Sequence, residues 1–287
     1  MIDFDLHIHC APYSSCATQT AEQAVIQAKS AGVNMIAVCN HNTITSLNEI
    51  RKLCFEYGVK LINGIELSVS IDNAPTECIG KVFHLLGYGF DLEQDTFDAV
   101  FLDIKQCYEE RIRKICGYLR SIGYSVNDCT EMREVRKQLC ENGYFSTEKK
   151  AKNFLRSDDI VGRFPEKRLD SKEAISLIHR LGGKVFWAHP NRAEHHKVIS
   201  PEMIPVIADI LCKQGIDGLE VFHPDTVAEP EMVNLLLSIA SEKRLKISLG
   251  SDTHHYDESK EYFTNRSQLK NCNYDFETLR KTLEAML

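Results

Sequence analysis

The amino-acid sequence predicts an α/β protein whose strands and helices alternate and close into a barrel, with one helical insertion. Apolar, strand-like runs alternate with amphipathic, helix-like runs along most of the 287 residues, which is typical of a parallel sheet with helices outside it. Roughly seven such strand–helix units are present, and seven or eight units most simply close into a barrel. An open doubly wound sheet is the structural alternative.

The segment before the insertion contains four predicted strands and two predicted helices. The first strand covers roughly 2–8, and the helix after it begins at Thr20, which forms a capping box with Gln23. That helix ends at Gly32, and a buried strand (VNMIAVC) and an amphipathic helix (SLNEIRKLCFEYG) follow. The runs KLINGIELSV and KVFHLLGYG are the third and fourth strands.

The insertion is predicted from a long stretch without strand-like alternation. The run FDAVFLDIKQCYEERIRKICGYLRSIG places apolar residues at helical spacing and is rich in charge, so its helix should be partly exposed. We therefore expect a barrel domain formed by 1–91 and 160–287, and a helical insertion at 92–159.

Alternation resumes after the insertion. A helix capped by Asp170 or Ser171 leads into the strand KVFWAHP. A helix with Ser200 as its cap and Pro201 at its first position leads into the strand DGLEVFHP. The helix EPEMVNLLLSIASEK, the strand LKISLGSD and a last helix from about Asp275 complete the pattern.

Composition and charge narrow the classes of function. The net charge of −7 and the lack of a basic tail argue against extended nucleic-acid binding, but they allow a small phosphorylated substrate, which needs only local cations. No apolar run is long enough for a membrane span. The eleven cysteines are scattered without a Cys-x-x-Cys pair, and the N-terminus does not resemble a secretory signal, so we expect a cytoplasmic protein with reduced thiols. The sequence carries no signal for an oligomeric state.

The most informative feature is the polar residue at or near the end of each predicted strand. A single histidine after a strand is more often a turn residue or a hydrogen-bonded core residue than a metal ligand. Here consecutive strands all carry His, Glu or Asp, and in a barrel the strand ends meet at one rim, where active sites lie. The residues are His7, His9, His41, Glu66, His84, His189, Glu220, His223, Asp252 and His254. We therefore expect a shared metal site.

The ligand types indicate the metals and their chemistry. Imidazole and carboxylate without thiolate suit Zn, Mn or Fe, and the ligands are too many for one ion, so two or three divalent ions are expected. Glu66 and Asp252 are the candidates for a carboxylate that bridges two ions roughly 3.5–4 Å apart. Such a centre makes hydroxide available near pH 7 and neutralises phosphoryl charge, which the very slow hydrolysis of phosphate esters requires.

Six motifs, taken in order, resemble the PHP (polymerase and histidinol phosphatase) family. They are DLHIH, NHNT, GIELS, HLLGYG, AHP and GSDTH, and the resemblance covers 1–90 and about 160–256. The chain is most similar to the stand-alone phosphoesterases of that family, which carry a helical insertion at this place. The resemblance implies a distorted (β/α)7 barrel and a centre of two or three metals.

The resemblance also implies a ligand set. Glu66 would bridge two ions, and Asp5 would support the ligands or face the rim of the core. Glu220 matches no ligand position of the family, and it would either support a ligand or act as a structural cap. The implied metal ligands are His7, His9, His41, Glu66, His84, His189, Asp252 and His254.

Phosphate recognition needs cations, for which two arginines are candidates. Arg192 follows the strand-end motif AHPN, and Arg163 matches the first arginine of a family motif whose histidine is missing here. Each could equally form a surface salt bridge. His223 would bind phosphate or donate a proton to the leaving oxygen. We therefore expect His223, Arg192 and Asp252 to be catalytic, and Arg163, Arg192 and His223 to bind substrate.

The sequence departs from the family at positions that concern a third ion. Family phosphoesterases carry an Asp five residues, or a His six residues, after the second histidine, where this chain has Ser14 and Ser15. The family's TDHD reads CNHN, so Asn40 and Asn42 replace two acids. We expect a working two-ion core with a weak or water-supported third position.

These observations favour a metal-dependent phosphoesterase that hydrolyses a small phosphate ester by attack of metal-activated hydroxide. The expected substrate is a nucleotide or a nucleoside 3',5'-bisphosphate. A histidinol-phosphate phosphatase would share the core and differ only in its substrate pocket. A catalytically weakened metal-binding or regulatory domain is the third hypothesis, because of the serines and asparagines. An amidohydrolase is disfavoured, since it normally needs a bridging lysine or another histidine pattern.

Overall fold

The apolar runs of the sequence form the strands of one curled sheet in the computed structural model. Its main strands are β1 (Phe4–Ile8), β2 (Met35–Val38), β3 (Lys60–Ser70), β4 (Phe83–Tyr88), β6 (Lys184–Trp187), β9 (Gly218–Phe222) and β10 (Lys246–Leu249). A short strand β5 (Leu169–Asp170) pairs with β3, and β7 (Arg192–Ala193) pairs with β8 (Lys197–Val198) in a separate hairpin. The structure describes residues 2–14, 16–78, 80–193, 197–256, 269 and 272–286.

The order of the seven main strands is β1-β2-β3-β4-β6-β9-β10. The first strand, β1, also lies beside the last, β10, so the sheet closes. A parallel bridge joins Ile8 to Thr253 just beyond β10. The N–H of Asp252 donates to the carbonyl of His7 at 2.8 Å, and the N–H of His9 donates to the carbonyl of Thr253 at 2.9 Å. The prediction of an α/β, distorted (β/α)7 barrel is therefore confirmed, and the open doubly wound alternative is wrong.

The prediction that all strands run parallel is wrong for β4. This strand is antiparallel to both β3 and β6. In the described part of the connection from β3 to β4, the only helical element is one 3-10 turn (Thr76–Cys78), and antiparallel neighbours need no crossover helix. The reversal brings the start of β4 to the rim at which the parallel strands end, and His84 is the second residue of β4.

The described helices of the barrel unit follow its strands along the chain, and the last of them comes after β10. They are α1 (Ala21–Ser30), α2 (Leu47–Tyr57), α7 (Ser171–Arg180), α8 (Met203–Gln214), α9 (Pro224–Val227), α10 (Pro230–Lys243) and α11 (Phe276–Met286). The predicted capping box of α1 forms, since Thr20 Oγ1 accepts the N–H of Gln23 at 3.2 Å and Gln23 Oε1 accepts the N–H of Thr20 at 2.8 Å. Helix α8 begins at Met203 rather than at Pro201, because a turn precedes it.

The chain separates into two compact units, Met1–Gln94 with Leu169–Leu287, and Asp95–Arg168. The second unit contains most of α3 (Gln94–Ser121) and all of α4 (Met132–Glu141), α5 (Glu148–Leu155) and α6 (Asp158–Arg163). It has a hydrophobic core of its own, which includes the fully buried Ile112, Ile115, Leu119, Val135 and Leu139. We propose that this unit is the insertion predicted at 92–159. Among the described residues, no helix combines the length and the apolarity needed to cross a bilayer.

Candidate metal centre

The carboxylate of Glu66 lies at the middle of the site, with one oxygen facing three imidazoles. Its Oε2 is 3.3 Å from His7 Nε2, 3.1 Å from His9 Nε2 and 3.1 Å from His41 Nδ1. None of these contacts has hydrogen-bond geometry, so Oε2 and His41 Nδ1 are buried without a partner. Buried polar atoms without partners are costly. A carboxylate oxygen surrounded by imidazole nitrogens fits a divalent cation of the Zn, Mn or Fe type.

The other oxygen of Glu66 faces a second pair of imidazoles. Oε1 is 2.7 Å from His84 Nδ1 and 3.2 Å from His189 Nε2, and these two nitrogens are 3.3 Å apart. The two carboxylate oxygens thus face different sets of histidines, as expected for a carboxylate that bridges two ions.

Asp252 adds a second carboxylate to the rim. Its Oδ1 is 3.5 Å from His7 Nε2 and 3.2 Å from His9 Nε2. The ligand atoms of His7, His9, Glu66 and Asp252 all lie within 4.8 Å of one another. A second group with the same spacing consists of His41, Glu66 and His84. The described residues therefore contain two overlapping metal-compatible clusters that share Glu66.

Two of these strand-end residues have left-handed backbone. His189 has φ 29° and Asp252 has φ 51°, a region that residues other than glycine rarely adopt. Hydrogen bonds hold both in place: the N–H of His189 donates to Glu220 Oε2 at 2.8 Å, and the N–H of Asp252 donates to the His7 carbonyl. Such strain is concentrated at functional sites, where the surrounding structure fixes it.

Glu220 positions two of the predicted ligands, His7 and His189, a role that the sequence left undecided. It is fully buried, and its Oε1 accepts a hydrogen bond from His7 Nδ1 at 2.9 Å while its Oε2 holds the backbone of His189. Because a carboxylate only accepts, Nδ1 of His7 carries the proton and Nε2 faces the centre. The signal in the sequence was a glutamate inside an apolar strand, GLEVF.

Asp5 also supports the rim. Its Oδ1 accepts the N–H of His7 at 3.1 Å and the N–H of Ser251 at 3.0 Å. This buried carboxylate ties β1 to the chain after β10, so it fixes the backbone that carries the first histidine.

The ionisation states inside the site suit cation binding. Burial would raise the pKa of Glu66, but the surrounding imidazoles hold that pKa well below its ordinary value. Burial lowers the pKa of His41 to about 3, and those of His189 and His254 to about 4. Near neutral pH, Glu66 is therefore ionised and these three histidines are neutral, which is the state that binds metal.

His7 and His9 carry the opposite shift. Burial lowers the pKa of each, but nearby carboxylates outweigh it: Glu220, Glu66 and Asp252 raise the pKa of His7 well above its ordinary value, and Asp252 and Glu66 raise that of His9. The carboxylates therefore attract positive charge, which protons supply when no metal is bound.

Arg192 and His223 meet at Asp252. The Arg192 guanidinium donates through Nη2 to Asp252 Oδ2 and through Nη1 to Asp225 Oδ2 at 2.6 Å. His223 Nδ1 accepts the N–H of Asp225 at 3.1 Å, so Nε2 carries the proton and lies 3.4 Å from Asp252 Oδ2. Two hydrogen-bond donors thus adjoin the predicted ligand Asp252, as a site for a phosphate needs.

His254 and Arg163 are placed differently. The His254 ring stacks on His9 with centroids 4.2 Å apart, and its Nδ1 is 2.7 Å from the carbonyl of Asp252. Arg163 lies in the second unit, where it donates to Asp159 at 2.6 Å and lies over the ring of Tyr118. Its role in substrate binding stays a prediction.

The residues that replace the family's acids form hydrogen bonds to the backbone of the rim. Ser14 Oγ accepts the N–H of His41 at 3.2 Å and is 3.2 Å from His9 Nδ1. Asn40 accepts the N–H of Cys10, and Asn42 accepts the N–H of Ser68, each at 2.9 Å. Ser15 lies outside the described residues. Ser14 therefore orients a histidine rather than leaving a gap.

A model of the PHP domain family matches residues 5–286 of the sequence. The chain belongs to the PHP domain family. It is a metal-dependent phosphoesterase, a hydrolase that acts on phosphate esters.

Relatives of this PHP chain have several named activities. A 5'-3' exoribonuclease of Haemophilus influenzae is 26% identical over 88% of this chain and 89% of its own length. A phosphoribosyl 1,2-cyclic phosphate 1,2-diphosphodiesterase of Eggerthella lenta is 25% identical over 87% and 93%. A 3',5'-nucleoside bisphosphate phosphatase of Chromobacterium violaceum is 20% identical over 71% and 72%.

The fold of the PHP chain also matches a solved structure. A crystal structure from Bifidobacterium adolescentis, of a chain assigned as a metal-dependent phosphoesterase, aligns with a TM-score of 0.68 and 21% identity. The alignment covers 99% of this chain and 96% of that chain. This likeness concerns the barrel and does not identify a substrate.

Proposed function

We propose that this PHP chain hydrolyses a phosphate ester of a nucleotide or a nucleoside 3',5'-bisphosphate with the help of two or three Mn, Zn or Fe ions. The observation that carries the proposal is the buried carboxylate of Glu66, which faces five imidazoles with its Oε2 unpartnered. The residues that would hold the ions are His7, His9, His41, Glu66, His84, His189, Asp252 and His254. When bound, such ions supply hydroxide near pH 7 and stabilise charge on phosphoryl oxygens.

The exposure of the side chains indicates the direction from which the substrate approaches. The side chains of His7, His9 and Glu66 are at most 1% exposed, whereas that of His41 is 26% exposed and that of His254 is 20% exposed. Solvent therefore reaches the centre from the side of His41 and His254. A phosphate ester would enter there and meet the partly exposed edge of the ligand set.

Arg192 and His223 would bind the phosphate and the leaving group. The Arg192 side chain is 14% exposed and its planar guanidinium offers paired donors that match phosphate oxygens. His223 holds its proton on Nε2 because Nδ1 accepts the N–H of Asp225. That proton points toward the centre, so His223 would donate it to the departing ester oxygen.

The named substrates of the relatives support a ribose-linked phosphate. The three relatives are named for RNA, for a phosphoribosyl cyclic phosphate and for a nucleoside bisphosphate. We propose the small substrates first, because the chain has a net charge of −7 and lacks a basic tail. A 5'-3' exoribonuclease is the second candidate, favoured by the relative from Haemophilus influenzae.

The proposal is tested by phosphate release and product analysis after reconstitution with Mn, Zn or Fe. The panel contains a nucleoside 3',5'-bisphosphate, a ribose cyclic phosphate, histidinol phosphate, and a 5'-phosphorylated oligoribonucleotide. Turnover of the bisphosphate supports the first candidate, and turnover of the oligonucleotide alone supports the second. Binding of metal without turnover of any ester would support the weakened-domain hypothesis and overturn both.

A matched pair of variants connects the activity to the centre. Glu66→Gln keeps the shape of the side chain but removes the charge that would bridge two ions, so metal content and activity should both fall. Glu242→Gln makes the same change on a side chain that is 75% exposed, and it should change neither. Equal metal content and activity in Glu66→Gln and the wild type would exclude the bridging role.

A further inference from the structure

We propose that Cys16 supplies a thiolate ligand to a third metal position, together with His41 and His254. This inference rests on the metal centre proposed above and concerns the place where Ser14 and Ser15 stand in the sequence instead of a third-ion ligand. The bound ion would have a mixed sulfur and nitrogen environment, unlike the two clusters that contain Glu66.

The geometry brings three imidazoles and one thiol together at the exposed edge of the centre. Ligand atoms of His9, Cys16, His41 and His254 all lie within 4.8 Å of one another. The ring of His9 stacks on each of the other two imidazoles, with centroid distances of 4.7 Å to His41 and 4.2 Å to His254, and the centroids of His41 and His254 are 6.4 Å apart. Cys16 is exposed, so an ion can reach this group from solvent.

The backbone holds the cysteine loop against His254. The carbonyl of His254 accepts the N–H groups of Thr18 at 2.8 Å and Gln19 at 3.3 Å. The Gln19 side chain donates to the carbonyls of His9 at 2.7 Å and Thr253 at 3.0 Å. The bonds to His254 and Thr253 cross between segments that are more than 230 residues apart in sequence, so the closure of the barrel fixes the loop that carries Cys16.

A second observation points to a ligand independently of the cysteine. His41 Nδ1 is a buried nitrogen without a hydrogen-bond partner, 3.1 Å from Glu66 Oε2, and its single lone pair would serve the third ion instead of an ion bound by Glu66. His254 has its Nδ1 at 2.7 Å from the carbonyl of Asp252, so Nδ1 carries the proton and Nε2 is left with a lone pair. Two imidazole nitrogens with available lone pairs and one thiol form a donor set that favours binding of Zn or Fe over binding of Mn.

Binding would release the thiol proton to solvent as the Cys16 sulfur–metal bond forms. The thiolate adds a negative charge where the family's acid is replaced by neutral serine. Cys16, the residue after Ser15, would thus replace the missing ligand.

Cobalt(II) is the probe for this site, because a cysteine–cobalt bond gives a charge-transfer absorption band that imidazole and carboxylate ligands do not give. Metal-free full-length protein is titrated with cobalt, and bound ions per chain and the absorption spectrum are measured. We expect the band in the wild type, and in Cys16→Ser the loss of the band and of one ion per chain. Cys16→His should keep the ion count without the band. Cys107→Ser, at a partly exposed cysteine of the second unit, is the control and should keep both.

The outcomes separate this site from the centre itself. If Cys16→Ser keeps the band or the full ion count, Cys16 is not a ligand and the inference is overturned. If the wild type binds two ions without the band, the third site fails while the Glu66 centre stands. If the wild type binds no ion, both fail.

Discussion

Replacing Glu220 by glutamine tests whether a buried carboxylate outside the ligand set controls metal affinity. Glu220 accepts from His7 Nδ1 at 2.9 Å and from the N–H of His189 at 2.8 Å, and so fixes one ligand's tautomer and another's backbone. Glutamine has the same shape, but one of its two ends is a donor, so it satisfies at most one of these groups. We expect weaker metal binding without loss of the fold.

The expected loss of metal affinity follows from the two hydrogen bonds that Glu220 accepts. Loss of such an outer hydrogen bond typically costs about 10–100-fold in metal affinity, which corresponds to about 1.4–2.7 kcal/mol. Glu220 also raises the pKa of His7, so the variant loses some competition from protons. This second effect opposes the first in acid. The loss of affinity should therefore be larger in alkaline buffer than in acidic buffer.

The assay is competition for zinc against a chelator of known affinity, at two pH values. Asp217→Asn is the matched control, because Asp217 likewise accepts from one imidazole, His179 Nε2 at 2.6 Å, and from one strand N–H, that of Val185 at 2.8 Å. It takes no part in either Glu66 cluster and should leave the affinity unchanged. If Glu220→Gln binds zinc as tightly as the control at both pH values, the positioning role is refuted.

Three further results are expected. Gly250→Ala should lower the free energy of unfolding by about 1–3 kcal/mol in urea denaturation, since its Cβ would lie 2.1 Å from His7 Cβ. Gly162→Ala, in helix α6 with open space around it, is the control and should not lower the free energy of unfolding. Metal uptake should release protons, which a pH-indicator dye in weakly buffered solution measures, because the raised pKa values keep His7 and His9 protonated until the pH passes them. Metal affinity should therefore rise with pH by up to about tenfold per pH unit for each proton displaced. An affinity that does not change with pH would contradict this. Arg192→Lys should raise KM by about tenfold, since lysine cannot donate the paired hydrogen bonds of a guanidinium to phosphate oxygens, a loss of about 1.5 kcal/mol. An unchanged KM would show that Arg192 does not bind the phosphate.

The sequence predicted the barrel, and it placed His, Glu and Asp at strand ends that the structure brings together, because strand periodicity and strand-end polarity are local signals. It could not predict the direction of β4, since a buried strand such as FHLLGY has the same apolar pattern in either direction. The consequence is visible at His84, which reaches the rim from the start of its strand rather than from its end.

Long-range partners were the other part that local patterns could not predict. Glu220 stood in the sequence only as a charged residue in an apolar strand, and its partner His7 is 213 residues away. Cys16 lay in a loop whose position depends on hydrogen bonds to the chain after β10. Such contacts are set by the closure of the barrel, and no spacing within one motif encodes them.

The charge of the centre explains why a third ion would need Cys16. Glu66, Asp252 and Glu220 bring three negative charges into contact with the predicted ligand imidazoles, and the Arg192 guanidinium offsets one through its contact with Asp252. Two dications would then leave an excess of about two positive charges, which a phosphate of about −1.5 to −2 neutralises. A third dication held by imidazoles alone would double that excess to about four and repel the other ions. A thiolate at Cys16 would lower it by one, so the chain that lacks the family's acids would retain a third ion through the anion that its own loop supplies.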